Sequence, residues 1–228
     1  MMEPEEHLRR LTLKILVLGT INVGKTSFIQ RYCNDHFSQQ YKTTIGVDYG
    51  IKRMCWKNEF DLQLQFCDIS GQERFANLTR VFYKGASGVL IVCSHDDKDT
   101  LNQAMQWKDD LDDKLPGLPC ILVVNKCDLS DQRSITIEDI EHASRVCQFD
   151  EHIHTSAKKN INIELSVKHL VNRMMDNAPP TPRSPPETPR SAQHQYYDRP
   201  SPRHKHEKNT IRLTHTAQHD QPECCWLL

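Results

Sequence analysis

The stretch Leu13-Lys14-Ile15-Leu16-Val17-Leu18-Gly19-Thr20-Ile21-Asn22-Val23-Gly24-Lys25-Thr26 decides the fold. Six residues, five of them apolar and of strand-forming type, run straight into the spacing G-x-x-x-x-G-K-[ST]. In that order a β-strand delivers the chain into a glycine-cornered loop whose backbone N–H groups point inward. A helix beginning near Gly24 then turns its positive end on the same cavity. Phosphate oxygens are the natural occupant, so Gly19, Asn22, Val23, Gly24, Lys25, Thr26 and Ser27 are the expected phosphate-binding residues. Lys25 suits the outer phosphates, and the Thr26 hydroxyl suits a Mg²⁺ ion beside them.

Outward from this loop, composition limits what can surround it. The chain has 228 residues, and all eight glycines fall at or before Gly117, whereas nine of the twelve prolines lie between Pro179 and Pro222. One folded domain is therefore expected over residues 12–176, after a flexible N-terminus (1–11). A disordered Pro/Ser/His-rich tail (177–223) follows, whose composition cannot repay the entropy of folding. A formal net charge of −1 gives no reason to expect nucleic-acid binding. No tract has the roughly 20 apolar residues of a membrane span, and residues 1–12 lack the apolar core of a secretory signal. The chain is accordingly expected in the cytosol, as a monomer, with Cys33, Cys55, Cys67, Cys93, Cys120, Cys127 and Cys147 as reduced and mostly buried thiols.

Between Thr12 and Asn177 short apolar segments alternate with helical patterns, the order that builds a mostly parallel sheet with helices on both faces. The expected strands are Leu13–Leu18, Val47–Trp56, Phe60–Ile69, Gly88–Cys93, Cys120–Asn125 and His152–Thr155. Only Lys57-Asn58-Glu59 separates the second from the third, which makes them an antiparallel hairpin at one edge of a six-stranded sheet. Helices are expected after the phosphate loop and over Asp99–Lys114, Thr136–Gln148 and Asn162–Met175. The last carries the stripe Ile163, Val167, Leu170, Val171 and Met174, with Asn162 as its cap.

Three further loops, each after an expected strand, share the edge where open α/β sheets bind ligands. Asp68-Ile69-Ser70-Gly71-Gln72-Glu73 offers a carboxylate that reaches a magnesium shell through water, and Gly71 can bring a backbone N–H to a terminal phosphate. Asn125-Lys126-Cys127-Asp128 is more discriminating. Asp128 can accept from both the ring N1–H and the exocyclic amine of guanine, a donor pair adenine lacks, and a site built on such an acceptor strongly rejects the analogue without the donors. Ser156-Ala157-Lys158 can present a backbone N–H to the guanine carbonyl. Four such loops in this order point to a site for GTP and GDP.

On these loops the chain resembles the Ras superfamily of small GTPases, and within it the Rab family. Thr43-Thr44-Ile45-Gly46-Val47-Asp48-Tyr49 resembles the Rab first switch. Gln72-Glu73-Arg74-Phe75 with Phe82-Tyr83-Lys84-Gly85-Ala86 resembles the second. Ile69, Asn77-Leu78-Thr79-Arg80-Val81-Phe82-Tyr83-Lys84 and Trp107-Lys108-Asp109-Asp110-Leu111-Asp112-Asp113-Lys114 are similar to the subgroup serving lysosome-related organelles and melanosomes. The resemblance implies that Gln72 orients the attacking water, with Lys25 and Thr44 as its catalytic companions. Thr44 then completes the Mg²⁺ shell and senses the γ-phosphate, and Phe37 covers the guanine edge-on. It also implies an exchange factor, a GTPase-activating protein that supplies an arginine, a prenylation escort, a GDP-dissociation inhibitor and trafficking effectors.

Departures from the pattern are specific. Ser70 stands where an alanine is usual and Ile21 where Ras proteins have glycine, so a slowly hydrolysing or non-hydrolysing nucleotide-binding scaffold remains as an alternative. The expected effector surface is Ile45, Tyr49, Cys67 and Phe82, with Cys67 replacing a central aromatic ring. At the other end, Cys224-Cys225-Trp226-Leu227-Leu228 places Cys225 in a C-a-a-X box whose terminal Leu favours geranylgeranyl, with Cys224 as a second thiol. Two lipids would hold the domain on the cytoplasmic face of endosomal or lysosome-related membranes, with a carrier-bound pool in the cytosol. The tail itself has seven basic against five acidic side chains, a mild bias toward anionic lipid. Its Thr181, Ser184, Thr188 and Ser201, each before a proline, are candidate kinase acceptors.

Overall fold

A computed structural model describes residues 8–40, 44, 46–71, 82–129 and 134–177. Six strands form one sheet in the order β2-β3-β1-β4-β5-β6. They are β1 (Arg9–Leu18), β2 (Val47–Trp56), β3 (Phe60–Ile69), β4 (Gly88–Ser94), β5 (Cys120–Asn125) and β6 (Glu151–His154). Four helices are described: α1 (Lys25–Asn34), α2 (Lys98–Lys114), α3 (Ile137–Val146) and α4 (Ile163–Asp176). All neighbouring strands pair in parallel except β2 and β3, which are antiparallel from Val47↔Ile69 to Trp56↔Phe60. Lys57 (φ 50°) and Asn58 (φ 57°) are both left-handed, the pair of conformations a two-residue type I′ turn requires.

Strand β1 starts four residues earlier than the apolar run suggests. Arg9 pairs with Phe60 and Arg10 with Asp61, so the parallel ladder continues through polar residues whose side chains stay exposed. Arg9, Arg10 and Leu11, expected in a flexible N-terminus, are thus part of the sheet. Asn162 also departs from expectation. It precedes α4 in a left-handed conformation (φ 54°) without capping through its side chain, and its Nδ2 donates instead to the His154 carbonyl at 2.8 Å. By contrast, Thr136 and Asp139 close a reciprocal capping box on α3.

Two apolar layers clamp the sheet. Ile15, Val17, Leu90 and Val123 face α1 and α4, where Phe28, Val167, Leu170 and Val171 are fully buried. Leu16, Leu18, Ile91 and Val124 face α2 and α3, packed around Trp107, Leu111 and Ala143. Each such side chain contributes about 1.5–3 kcal/mol by leaving water. The seven described cysteines are free, and no helix among the described residues is long and apolar enough to cross a membrane. Because five strands run in parallel, their carboxyl ends and the loops that follow gather along one edge.

Candidate nucleotide-binding site

That edge opens into a cavity of about 620 Å³. Of the residues expected to hold nucleotide, Asn22, Gly24, Lys25, Thr26, Ser27, Phe37, Thr44, Gly71, Asn125, Lys126, Asp128, Ala157 and Lys158 all line it. Residues more than 130 positions apart in sequence therefore meet in one hollow. Gly19, Val23, Asp68 and Ser156 stand just behind the wall and hold the lining residues in place. Gln72 and Ile45 lie outside the described residues, as do Cys224 and Cys225.

At the phosphate end the chain turns through Asn22 (φ 62°) and Gly24 (φ 92°) into α1. A β-carbon on Gly24 would come within 2.4 Å of Asn125 Nδ2, so only glycine lets the phosphate loop approach the guanine loop this closely. Lys25 is 6% exposed, and its Nζ donates to the carbonyls of Gly19 and Thr20, both at 2.8 Å. Burial pushes this ammonium down to about 8, against a smaller upward pull from Asp68.

Oxygen atoms converge beside Lys25. Thr26 Oγ1 donates to Asp68 Oδ2 at 2.5 Å, which leaves Thr44 Oγ1, 2.9 Å away, as the donor to Thr26. Asp68 is 2% exposed, and its other oxygen, Oδ1, is buried with no hydrogen-bond partner among the described residues. Burial raises the Asp68 carboxyl above its ordinary value, while the Thr26 hydroxyl and the Lys25 charge pull it down. A buried carboxylate oxygen left over beside two hydroxyls is a donor set that fits a hard, oxygen-loving cation bound together with phosphate. No group of three or more His, Cys, Asp or Glu side chains that could hold a metal occurs among the described residues.

Gly71 sits against the phosphate loop so tightly that a β-carbon there would meet the Ile21 nitrogen at 2.3 Å. Ser70 is buried, and its N–H donates to the Gly46 carbonyl at 3.0 Å. The residue also lines the cavity. Ile21 projects at the cavity mouth, 48% exposed.

The guanine end is cross-braced. Asn125, 2% exposed, donates through Nδ2 to the Val23 carbonyl at 2.8 Å and accepts at Oδ1 from Thr155 Oγ1 (3.2 Å) and from the Ala157 N–H (3.3 Å). This one side chain joins the phosphate loop to both loops after β5 and β6. Ser156 Oγ donates to Asp128 Oδ1 at 2.5 Å, which aims the carboxylate into the cavity. Lys126 holds a left-handed turn (φ 63°) beside it. Two supports escaped the sequence reading. Arg31 on α1 reaches the Ala157 carbonyl, and Asp96 lies 3.6 Å from Lys126 Nζ. No local pattern marks either, because their partners are brought near only by folding.

The effector-surface residues divide. Tyr49 is 64% exposed and Phe82 half-buried. Cys67, expected among them, is 1% exposed and belongs to the apolar layer facing α2 and α3. It is paired across the hairpin with Tyr49 and along β1 with Leu16, so it shares a sheet face with Tyr49 but lies in the buried layer and is not part of the exposed surface.

A phosphate loop, a guanine-shaped acceptor loop and an oxygen-rich corner around one cavity on a six-stranded sheet define a small GTPase domain. The model of the Ras family matches residues 14–176, and the chain belongs to that family. Its relatives place it with the Rab proteins. It is 41% identical to mouse "Ras-related protein Rab-32" over 180 residues, which are 77% of this chain and 79% of that one. It is 40% identical to human "Ras-related protein Rab-7L1" over 170 residues, 72% of this chain and 83% of the relative. With "Ras-related protein Rab-32A" of Dictyostelium discoideum it shares 38% identity over 76% of this chain and 82% of the other. GTPases of this kind hydrolyse GTP and regulate membrane trafficking.

Proposed function

We propose that the chain is a membrane-anchored switch that cycles between GDP and GTP and recruits trafficking effectors at endosomal or lysosome-related organelles. The observation that carries this reading is the meeting, in one cavity, of Lys25, Thr26 and Thr44 with Asn125, Asp128 and Ala157. Phosphoryl transfer depends on positioning and charge neutralisation more than on covalent chemistry, and the residues divide the work accordingly. Lys25 leaves its own loop carbonyls for the outer phosphates. Asp128 and the loop around Ala157 read the guanine edge, and Phe37 covers its flank. Thr26 and Thr44, with Asp68 through water, would hold Mg²⁺, which would supply charge neutralisation at the phosphates. Gln72 orients the attacking water.

Loss of the γ-phosphate removes what holds Thr44 and Gly71, so partners distinguish the two states by these loops. Regulators follow from the same logic: an exchange factor, an activating protein, and a carrier and prenylation escort for Cys224 and Cys225. A nucleotide-holding tether with negligible hydrolysis is the second reading, favoured by Ile21 at the cavity mouth and by Ser70 beside Gly71.

Phosphate release from purified protein, alone and with GTPase-activating domains, separates the two. Gln72→Leu is expected to slow hydrolysis by about 100-fold, the scale on which misplacing a reactant costs rate. Equal rates in wild type and variant move the assignment to the tether.

A further inference from the structure

We propose that Arg31 is a positioning residue for guanine binding, a latch that ties the helix leaving the phosphate loop to the loop that meets the base. The inference rests on the assignment of this cavity to guanine nucleotide. Arg31 occupies the second turn of α1, and its side chain is only 15% exposed. Nε donates to the Ala157 carbonyl at 2.9 Å, and Nη2 lies 3.4 Å from the Lys158 carbonyl. Ala157 is thereby held on both sides, its carbonyl by Arg31 and its N–H by Asn125 at 3.3 Å.

The third nitrogen makes the latch more than a brace. Nη1 donates to both the backbone carbonyl (3.0 Å) and Oδ1 (2.9 Å) of Asp35. Asp35 ends α1 in a left-handed conformation (φ 49°), and its N–H returns to the Arg31 carbonyl. The chain then leaves through His36, Phe37 and Ser38, which line the same cavity. One planar guanidinium thus fixes the loop on one side of the base and the exit toward Phe37 on the other. Both are referred to α1, whose opposite end carries Lys25 and Thr26. Five donors in a rigid fork serve three carbonyls and a carboxylate at once, which a lysine ammonium cannot copy.

The consequence is a fixed spacing between the phosphate and base subsites that owes nothing to any group touching the phosphates. Without Arg31 the loop of Ala157 and Lys158 drifts, and with it goes the backbone N–H that meets a 6-keto purine.

The test uses the full chain loaded with fluorescent GDP and chased with excess unlabelled GDP at constant Mg²⁺. Competition by GDP and by ADP is measured in parallel. Arg31→Ala is expected to release GDP about tenfold faster, the equivalent of removing one hydrogen bond to a charged group. The preference for GDP over ADP should shrink by the same factor, because adenine never used the loop. Arg31→Lys, which keeps the charge and a single point of donation, should fall between the two, and it carries the test if Arg31→Ala does not stay folded. A general loosening of the fold would instead weaken GDP and ADP alike and overturn the proposal. Release from Arg31→Ala at the wild-type rate overturns it too. If the wild-type chain itself shows no preference for GDP over ADP, the assignment of the cavity fails first, and the latch with it.

Discussion

The two ends of the cavity are built on opposite plans. At the guanine end the protein completes its own hydrogen bonds: Asn125 joins Val23, Thr155 and Ala157, Ser156 orients Asp128, and Arg31 locks the loop from behind. At the phosphate end groups are gathered but incompletely matched. Lys25 is desolvated and turned onto the carbonyls of its own loop, and Asp68 keeps a buried oxygen without a partner among the described residues. A base reader must be rigid to reject the wrong base, whereas a phosphate sensor must change when phosphate arrives or leaves. Preorganisation at one end and unmet demand at the other let a single pocket hold its nucleotide through the cycle and still report the outermost phosphate.

The comparison breaks most easily at Lys25. Hydrogen bonds to charged groups contribute about 1.5–3 kcal/mol each, so Lys25→Ala, which removes such bonds to two phosphates, should weaken GDP binding by about 1000-fold. Titration calorimetry checks this, and a loss below tenfold would mean that the phosphate end is not where binding energy resides. Next comes Asp128→Asn, which removes the negative charge and turns one of the two oxygens that face guanine N1–H and amine into a donor. The preference for GDP over IDP, whose base lacks the amine, should drop by about 100-fold on the same scale of charged hydrogen bonds. An unchanged ratio would remove Asp128 from the base site.

A pH profile sharpens the picture of the phosphate end. The Lys25 ammonium sits near 8 in the folded chain against an ordinary 10.5. Below about pH 8 it is charged both free and bound, so GDP affinity should be flat. Above it the free protein has lost the proton that phosphate requires, so affinity should fall by up to about tenfold per pH unit, with proton uptake on binding. For folding the sign is the reverse. The depressed value disfavours the folded, nucleotide-free chain at neutral pH, and that cost is relieved as pH rises from 8 toward 10.5. Affinity that stays constant to pH 9.5 would show that Lys25 is not the group responsible.

The smallest effect tests the bracing. Thr155 is fully buried and donates to Asn125. Thr155→Val keeps the shape and deletes the bond, which should lower stability by about 1 kcal/mol in a denaturant titration. Asn125 retains the Ala157 N–H, so guanine preference should change by less than a factor of three. A larger change would make Thr155 part of base recognition.

Much of this molecule is legible in the chain because its signals are local. Strand-then-loop order, the spacing of Gly19, Gly24 and Lys25, the three-residue gap between β2 and β3, and the stripe on α4 each lie within a few residues of sequence. What was missed is non-local. Arg9 to Leu11 join the sheet because Phe60 to Leu62 offer them a ladder, although their own composition looks like that of an exposed tail. Cys67, beside Tyr49 in the hairpin register, is buried because its face of the sheet packs into the layer around Trp107 and Leu111. Asn162 has the right residue type for a cap, but its backbone is left-handed there and its amide nitrogen donates to the His154 carbonyl.

Sequence alone determined the sheet, the order of the loops and the chemistry each loop offers, since secondary structure and phosphate loops follow from neighbours along the chain. Only the tertiary structure decided how those loops brace one another. A guanidinium on α1 can reach the Ala157 carbonyl across 126 positions of sequence only after α1 and α4 have packed on the same face of the sheet. Burial, which no residue possesses by itself, then depresses the Lys25 ammonium and leaves one oxygen of Asp68 unanswered.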